Sequence, residues 1–296
     1  MLAIHALQRS GLHGDMPQPK ESAVREPTNL PISLLESITS NFSDEQKFGE
    51  GGFAAVYKGL LQDGTVVAVK KLSNTLEMDE KFVKEAGCLM MVRHKNIVRL
   101  LGYCADIQRT ISNYEGKMVL AEERQWLLCF EFMPRGSLDG PQPPNILLDE
   151  DMVPKIADFG LSRCFDAEQT RTITSKLIGS QGYLAPEFYN GVLTMKTDIY
   201  SLGVIIMEIL TGQKGYHEIE SVLDSWRVRF KTSQGDTRLD HVRVCAEIGI
   251  ECTDSNPAKR PDIQRIIERL DEMESKCGFT KTDLFTSSAT NGIYYI

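Results

Sequence analysis

From Thr65 to Leu72 the chain reads TVVAVKKL, a β-branched run bounded by the turn Asp63-Gly64, which predicts a strand. Glycines stand between strand-like residues from Phe48 to Lys58, so the two stretches together predict a sheet with hairpins. The period then changes: between Met78 and Val92, Phe82, Glu85 and Leu89 fall on one helical face. Apolar runs from Ile97 to Cys104 and from Leu127 to Met133 return to strand. Between them lies the polar segment Ala105 to Trp126, expected as a long hairpin loop with its turn at Glu115-Gly116. The second half is helical in pattern. Met195 to Leu210 is almost uniformly apolar through Ile199, Leu202, Ile205, Ile206 and Ile209, as suits a helix buried on most sides. His241 to Cys252 and Asp262 to Ser275 are further helices, the last starting beside Pro261 with Ile263, Ile266, Ile267, Leu270 and Met273 in period.

The predicted fold class is therefore α+β, a small sheet with one packed helix followed by a mostly helical half. Residues 1–31 mix Pro17, Pro19, Pro27 and Pro31 with charge and no periodicity, and are expected to be a disordered leader. One folded domain is expected over 32–275, with a first lobe and hinge over 32–133, a second lobe over 134–275 and a flexible Ser/Thr-rich tail over 276–296. A net charge of −8 with dispersed Lys and Arg excludes a nucleic-acid footprint. Seven cysteines, odd in number and without a C-x-x-C pair, argue against a disulfide framework or a zinc site, so a reducing, cytoplasmic compartment is expected. No run of about 18 apolar residues predicts a membrane span. Position 2 is Leu2 and no cysteine precedes Cys88, so the common lipid anchors are not expected either.

Candidate chemistry begins in FGEGGFAAVYKG, where Gly49, Gly51, Gly52 and Val56 stand as in a phosphate-covering glycine loop and Ala54 replaces its third glycine. In Val67-Ala68-Val69-Lys70 the strand period puts Ala68 and Lys70 on one face and the valines on the other. Asp158-Phe159-Gly160 follows the strand-turn-strand pattern ILLDEDMVPKIA and lies thirteen residues after Asn145, and both side chains offer the hard oxygen that Mg²⁺ prefers. Ala185-Pro186-Glu187, Asp198 and Arg260 complete the ordered set.

Together these motifs resemble protein kinases over roughly residues 32–275, and the wording EFMPRGSL, NILLDEDMVPKIADFGLSR and GSQGYLAPE looks most like the plant receptor-like serine/threonine group, in its cytoplasmic branch. The resemblance implies a two-lobe fold, ATP and Mg²⁺ as cofactors, and protein substrates or signalling partners, a membrane receptor kinase among them. It implies Lys70 and Glu85 as the phosphate-positioning pair. Gly49, Gly51, Gly52, Val56, Ala68, Glu131, Met133 and Leu147 would surround the nucleotide, with Asn145 and Asp158 as metal ligands. It also implies a buried Glu187–Arg260 pair, support of the catalytic loop by Asp198, and a phosphorylatable activation segment through Thr170, Thr172, Thr174, Ser175 and Ser180.

One part is missing. The catalytic-loop aspartate belongs five positions before the metal-binding asparagine, and there stands Gly140; the lysine position is Gln142. Asp139 is the nearest carboxylate but belongs by wording to the hinge-side GSLD. Two helices of the second lobe and half the catalytic loop are absent by the same comparison, which predicts a bare apolar face on the Met195–Leu210 helix. The expectation is a serine/threonine kinase relative with impaired catalysis. An ATP-binding pseudokinase scaffold and a truncated splice product of an active kinase are the alternatives.

Overall fold

The structure, a computed structural model, describes residues 26–51, 53–73, 77–137, 145–159, 171–173, 181–215, 217–231 and 236–277. They fall into two compact units, one holding the sheet and the other the helices. Gly140 and Gln142, with their neighbours over 138–144, lie outside the described residues.

The first unit is a six-stranded sheet ordered β1-β5-β6-β4-β3-β2. In chain order these are β1 (Thr28–Asn29), β2 (Lys47–Gly51), β3 (Ala54–Leu60), β4 (Val66–Leu72), β5 (Leu100–Tyr114) and β6 (Lys117–Glu131). All neighbours are antiparallel except β1, which runs parallel to β5. The strand period acts as the sequence predicts. Val67 and Val69 on β4 are fully buried and pack with Cys104, Leu127 and Cys129 under Leu35 of a short helix, α1 (Ile32–Ile38). Ala68 and Lys70 face the other way, toward helix α2 (Glu77–Met91), which buries Met78, Phe82, Glu85, Ala86 and Leu89. A small hairpin, β7 (Ile146–Leu148) with β8 (Pro154–Ile156), belongs to the same unit. It is tied there by Val98 N–H to Ile156 O at 3.0 Å and Ile156 N–H to Asn96 O at 2.8 Å.

The segment expected as a loop is instead strand. β5 and β6 pair from Leu100–Phe130 out to Tyr114–Lys117, closing on Glu115 and Gly116 with φ of 52° and 79°. Two successive left-handed residues make the turn whose twist matches a hairpin. The segment looks polar because a two-stranded ribbon wet on both faces has no buried side to impose alternation. Its distal apolar residues Ile107, Ile111, Met118 and Leu120 are accordingly exposed.

The second unit packs α3 (Met195–Thr211), α4 (Ile219–Phe230), α5 (Thr237–Cys252) and α6 (Ile263–Cys277). α4 was not predicted, and α5 starts four residues before the expected His241. Thr194 caps α3 in a capping box with Thr197. Helices α3 and α5 approach closely at glycine: a Cβ on Gly203 would sit 2.6 Å from Cys252 Cβ. Met207 and Leu210 join Val222, Leu223 and Leu239 in one cluster, and Ile199 joins Ile248, Cys252 and Ile266 in another. The bare face predicted for this helix is not found among the described residues. Only Met195, at 37%, is exposed, while Ile205 and Ile209 are half-buried. Two further strands, β9 (Arg171–Ile173) and β10 (Val192–Thr194), pair antiparallel and carry Thr172; Thr170, Thr174, Ser175 and Ser180 lie outside the described residues.

Candidate functional site

The register of the sheet brings the candidate residues of the first unit together. Gly49 pairs with Val56, Val56 pairs across to Lys70, and Ala68 stands beside Phe130 on β6. Gly52 lies outside the described residues, and Ala54 opens β3 opposite Gly51. Phe48, on the strand leading into the glycine turn, meets Phe132 edge-on at 5.5 Å between centroids. Phe130 and Phe132 are neighbours that motif reading passed over; only the register could have shown them.

Lys70 is held from two directions. Its Nζ donates to Glu85 Oε1 at 2.7 Å and to Asp158 Oδ1 at 2.9 Å. Glu85 sits on α2 with 3% of its side chain exposed, and also accepts the backbone N–H of Phe159. Burial works against the Lys70 ammonium, but the carboxylates of Glu85 and Asp158 outweigh it and hold the group above the usual lysine range. The lysine is therefore a fixed positive charge at neutral pH. Lys70 and Glu85, expected to pair, are in direct contact.

Asp158 follows β8 with φ of 61°, a left-handed backbone uncommon outside glycine. Such outliers persist where surrounding structure enforces them. Here Phe159, 3% exposed, anchors one side, and on the other Ala157 N–H donates to Asn145 O at 2.8 Å. That bond sets Asn145, exposed, at the open end of the β7–β8 hairpin next to the Asp158 turn. Among the described residues, no group of three or more His, Cys, Asp or Glu could hold a metal alone. The Asn145 amide oxygen and the Asp158 carboxylate are both hard-oxygen donors, the kind that Mg²⁺ takes.

The remaining candidates take different places. Met133 is 8% exposed and its carbonyl accepts Gly136 N–H at 3.2 Å. Leu147 is half-buried on β7, bridged to Ser137. The carboxylate of Glu131 serves the frame, accepting Lys155 Nζ at 2.9 Å and Arg99 N–H at 2.8 Å. Both bonds fall on Oε1, and the Glu131 N–H donates to Arg99 O at 3.0 Å.

In the second unit, Arg260 is buried and grips Glu187 with both ends of its fork, at 2.6 and 2.8 Å. Its remaining donors reach Lys196 O and Asp254 O, each at 2.8 Å. Tyr183 donates to buried Glu208 at 2.5 Å, a bond that motif reading did not anticipate.

Comparison with known proteins fits this geometry. The family described as "Protein tyrosine and serine/threonine kinase" matches over residues 42–140 and 143–270. The match leaves out residues 141 and 142, directly after Gly140. The chain is 32% identical to the G-type lectin S-receptor-like serine/threonine-protein kinase RKS1 of Arabidopsis thaliana over 313 residues, covering 90% of this chain and 37% of that protein. Cysteine-rich receptor-like protein kinase 7 of the same plant is 35% identical over 289 residues, covering 81% of this chain and 43% of the relative. The chain thus spans well under half the length of these relatives. An alignment of 313 residues exceeds the 296 of the chain, so the relative carries residues opposite gaps here. No helix among the described residues is long and apolar enough to cross a membrane.

Proposed function

The chain belongs to the protein kinase family, as a serine/threonine kinase relative of the plant receptor-like group, and on that premise we propose that it binds Mg·ATP while transferring phosphate poorly. The observation that carries this reading is the Lys70–Glu85–Asp158 cluster, set in one compact unit at 2.7 and 2.9 Å. Lys70, kept charged and aimed by Glu85, would grip nucleotide phosphates. Gly49 and Gly51 would let backbone N–H groups close over them, with Val56, Ala68, Met133 and Leu147 around the base. Asp158 and Asn145 would hold Mg²⁺, which supplies charge neutralisation at the transferring phosphate.

Transfer needs more. The acceptor hydroxyl must be positioned and relieved of its proton, help worth about 10²–10⁴ in rate. This chain has Gly140 and Gln142 where the family places the aspartate and lysine. The acceptors in this family are protein hydroxyls, and we place the activity in cytoplasmic signalling beside a membrane receptor kinase. Impaired transfer leaves binding as the function, an ATP-loaded scaffold.

Titration with a fluorescent ATP analogue tests the reading. Saturable binding that strengthens with Mg²⁺ and is lost in Lys70→Met is expected. Folded protein that shows no magnesium-sensitive binding overturns it.

A further inference from the structure

Helix α2 carries Glu85, so whatever fixes α2 fixes the Lys70 partner. Near its start Asp79 receives two contacts from the long ribbon. Trp126 Nε1 donates to Asp79 Oδ1 at 2.8 Å, and Arg124 Nη1 lies 3.3 Å from Asp79 Oδ2. One helical turn on, Phe82 stacks on the same indole at 4.9 Å and 24°. A further turn reaches Glu85; positions three apart lie on one helix face. Both oxygens of Asp79 and the ring of Phe82 thus meet a single patch of β6.

The patch continues along the ribbon. Arg124 Nη2 lies 3.4 Å from Glu122 Oε2, and Arg109 Nε donates to Glu122 Oε1 at 2.9 Å from the facing strand. Residues 122, 124 and 126 alternate onto one ribbon face, and Arg109 pairs directly across from Glu122. A chain of charge therefore runs from the middle of the exposed arm to the first turn of the helix that bears Glu85.

We infer that the β5–β6 arm is a positioning element for the nucleotide site, setting the α2 helix, and with it Glu85 against Lys70, through the Trp126 and Arg124 contacts to Asp79. The inference rests on the nucleotide-site reading above for its functional meaning, but the geometry it predicts can be read without nucleotide. Trp126, Arg124 and Asp79 act through Glu85 and touch no phosphate. Strand β6 also runs beside Lys70, paired to it at Leu128, so the variants that test the arm are confined to its contact with Asp79.

The test measures, at one fixed pH, the yield of the zero-length carbodiimide cross-link between the Lys70 amine and the Glu85 carboxyl, by site-resolved mass spectrometry on the full chain; the link forms only where the two groups touch, as they do at 2.7 Å. In Trp126→Phe the ring stack persists and the N–H is lost; in Asp79→Asn the charge is lost with little change of shape. Both should let Glu85 drift, so the cross-link yield and the ATP-analogue affinity each fall roughly twofold to tenfold, the scale of one net hydrogen bond. Glu122→Ala should lower the yield in the same direction but less, and Glu80→Ala, on an exposed ion pair with Lys84, should not lower it. Equal yields for the parent and both folded variants would overturn the inference and leave the contact a stabilising one only. Should Trp126→Phe fail to fold, Asp79→Asn decides. A parent that binds no nucleotide yet shows the fall in yield would sink the nucleotide reading and leave the clamp standing.

Discussion

Consider Glu187→Ala. Arg260 has no exposed side-chain surface, and its guanidinium meets two carboxylate oxygens of Glu187 and the carbonyls of Lys196 and Asp254. Deleting the carboxylate leaves a buried cation with two carbonyl partners and no counter-charge. Breaking such a pair from one side costs about 3–5 kcal/mol, against a domain stability of roughly 5–15 kcal/mol. With urea slopes of about 1–3 kcal/mol/M, the midpoint should fall by about 1–5 M. Glu187→Gln keeps one acceptor oxygen for the fork and should lose roughly half as much.

The chain offers a built-in reporter, since its two tryptophans, Trp126 and Trp226, lie in different compact units. Urea unfolding followed by Trp226 emission in a Trp126→Phe background reads the helical unit alone. The pair also carries a pH signature. Burial pushes the Glu187 carboxyl up, but its bonds to Arg260 outweigh this and leave it below the usual range. A depressed carboxyl contributes stability above its unfolded pKa and loses it as pH falls through the lower folded value. The acid-side drop in the parent should therefore be shallower in Glu187→Gln. A loss under about 1 kcal/mol in Glu187→Ala, the range of an exposed pair, with an unchanged acid limb would refute the reasoning.

Other outcomes follow from the same geometry. Radiolabel transfer from ATP to a generic protein substrate should stay near background in the parent and in Gly140→Asp, and rise only when the whole helix pair and catalytic loop are rebuilt; parental transfer abolished by Lys70→Met would show the gap reading to be wrong. Burial pushes the thiols of Cys104 and Cys129 up to about 11 and about 12, so both should resist a disulfide exchange reagent at neutral pH and react only on unfolding, and fast labelling of folded protein would contradict their placement.

The elements legible in the sequence were those with one buried face. β4 declared itself because Val67 and Val69 meet the α1 side while Lys70, on the other face, meets Glu85 of α2, and α3 because its apolar residues serve two clusters. The Glu187–Arg260 and Lys70–Glu85 partners were legible through family motifs, since neither pair is close in sequence. What stayed hidden was the ribbon beyond Ala105, wet on both sides, and with it the Trp126–Asp79 contact across 47 positions. No periodicity announces such a bond. Helix α4 was missed for a related reason: only Val222 and Leu223 are buried along it, too few to mark a face.

The surviving and missing parts divide by unit. Lys70, Glu85, Asn145 and Asp158 all belong to the sheet unit, and the hairpin bearing the last two is bonded to Asn96 and Val98 of that same unit. Glu187 and Arg260 belong to the helical unit and complete each other there. Among the described residues, Lys70 is held by Glu85 and Asp158 of the sheet unit, and Arg260 by Glu187, Lys196 and Asp254 of the helical unit. The bonds that hold each cluster are therefore made within its own unit among the described residues. Phosphoryl transfer, which needs a positioned acceptor, can fail while the Lys70 cluster proposed to hold phosphate remains assembled, which is why binding and transfer must be measured separately in this chain.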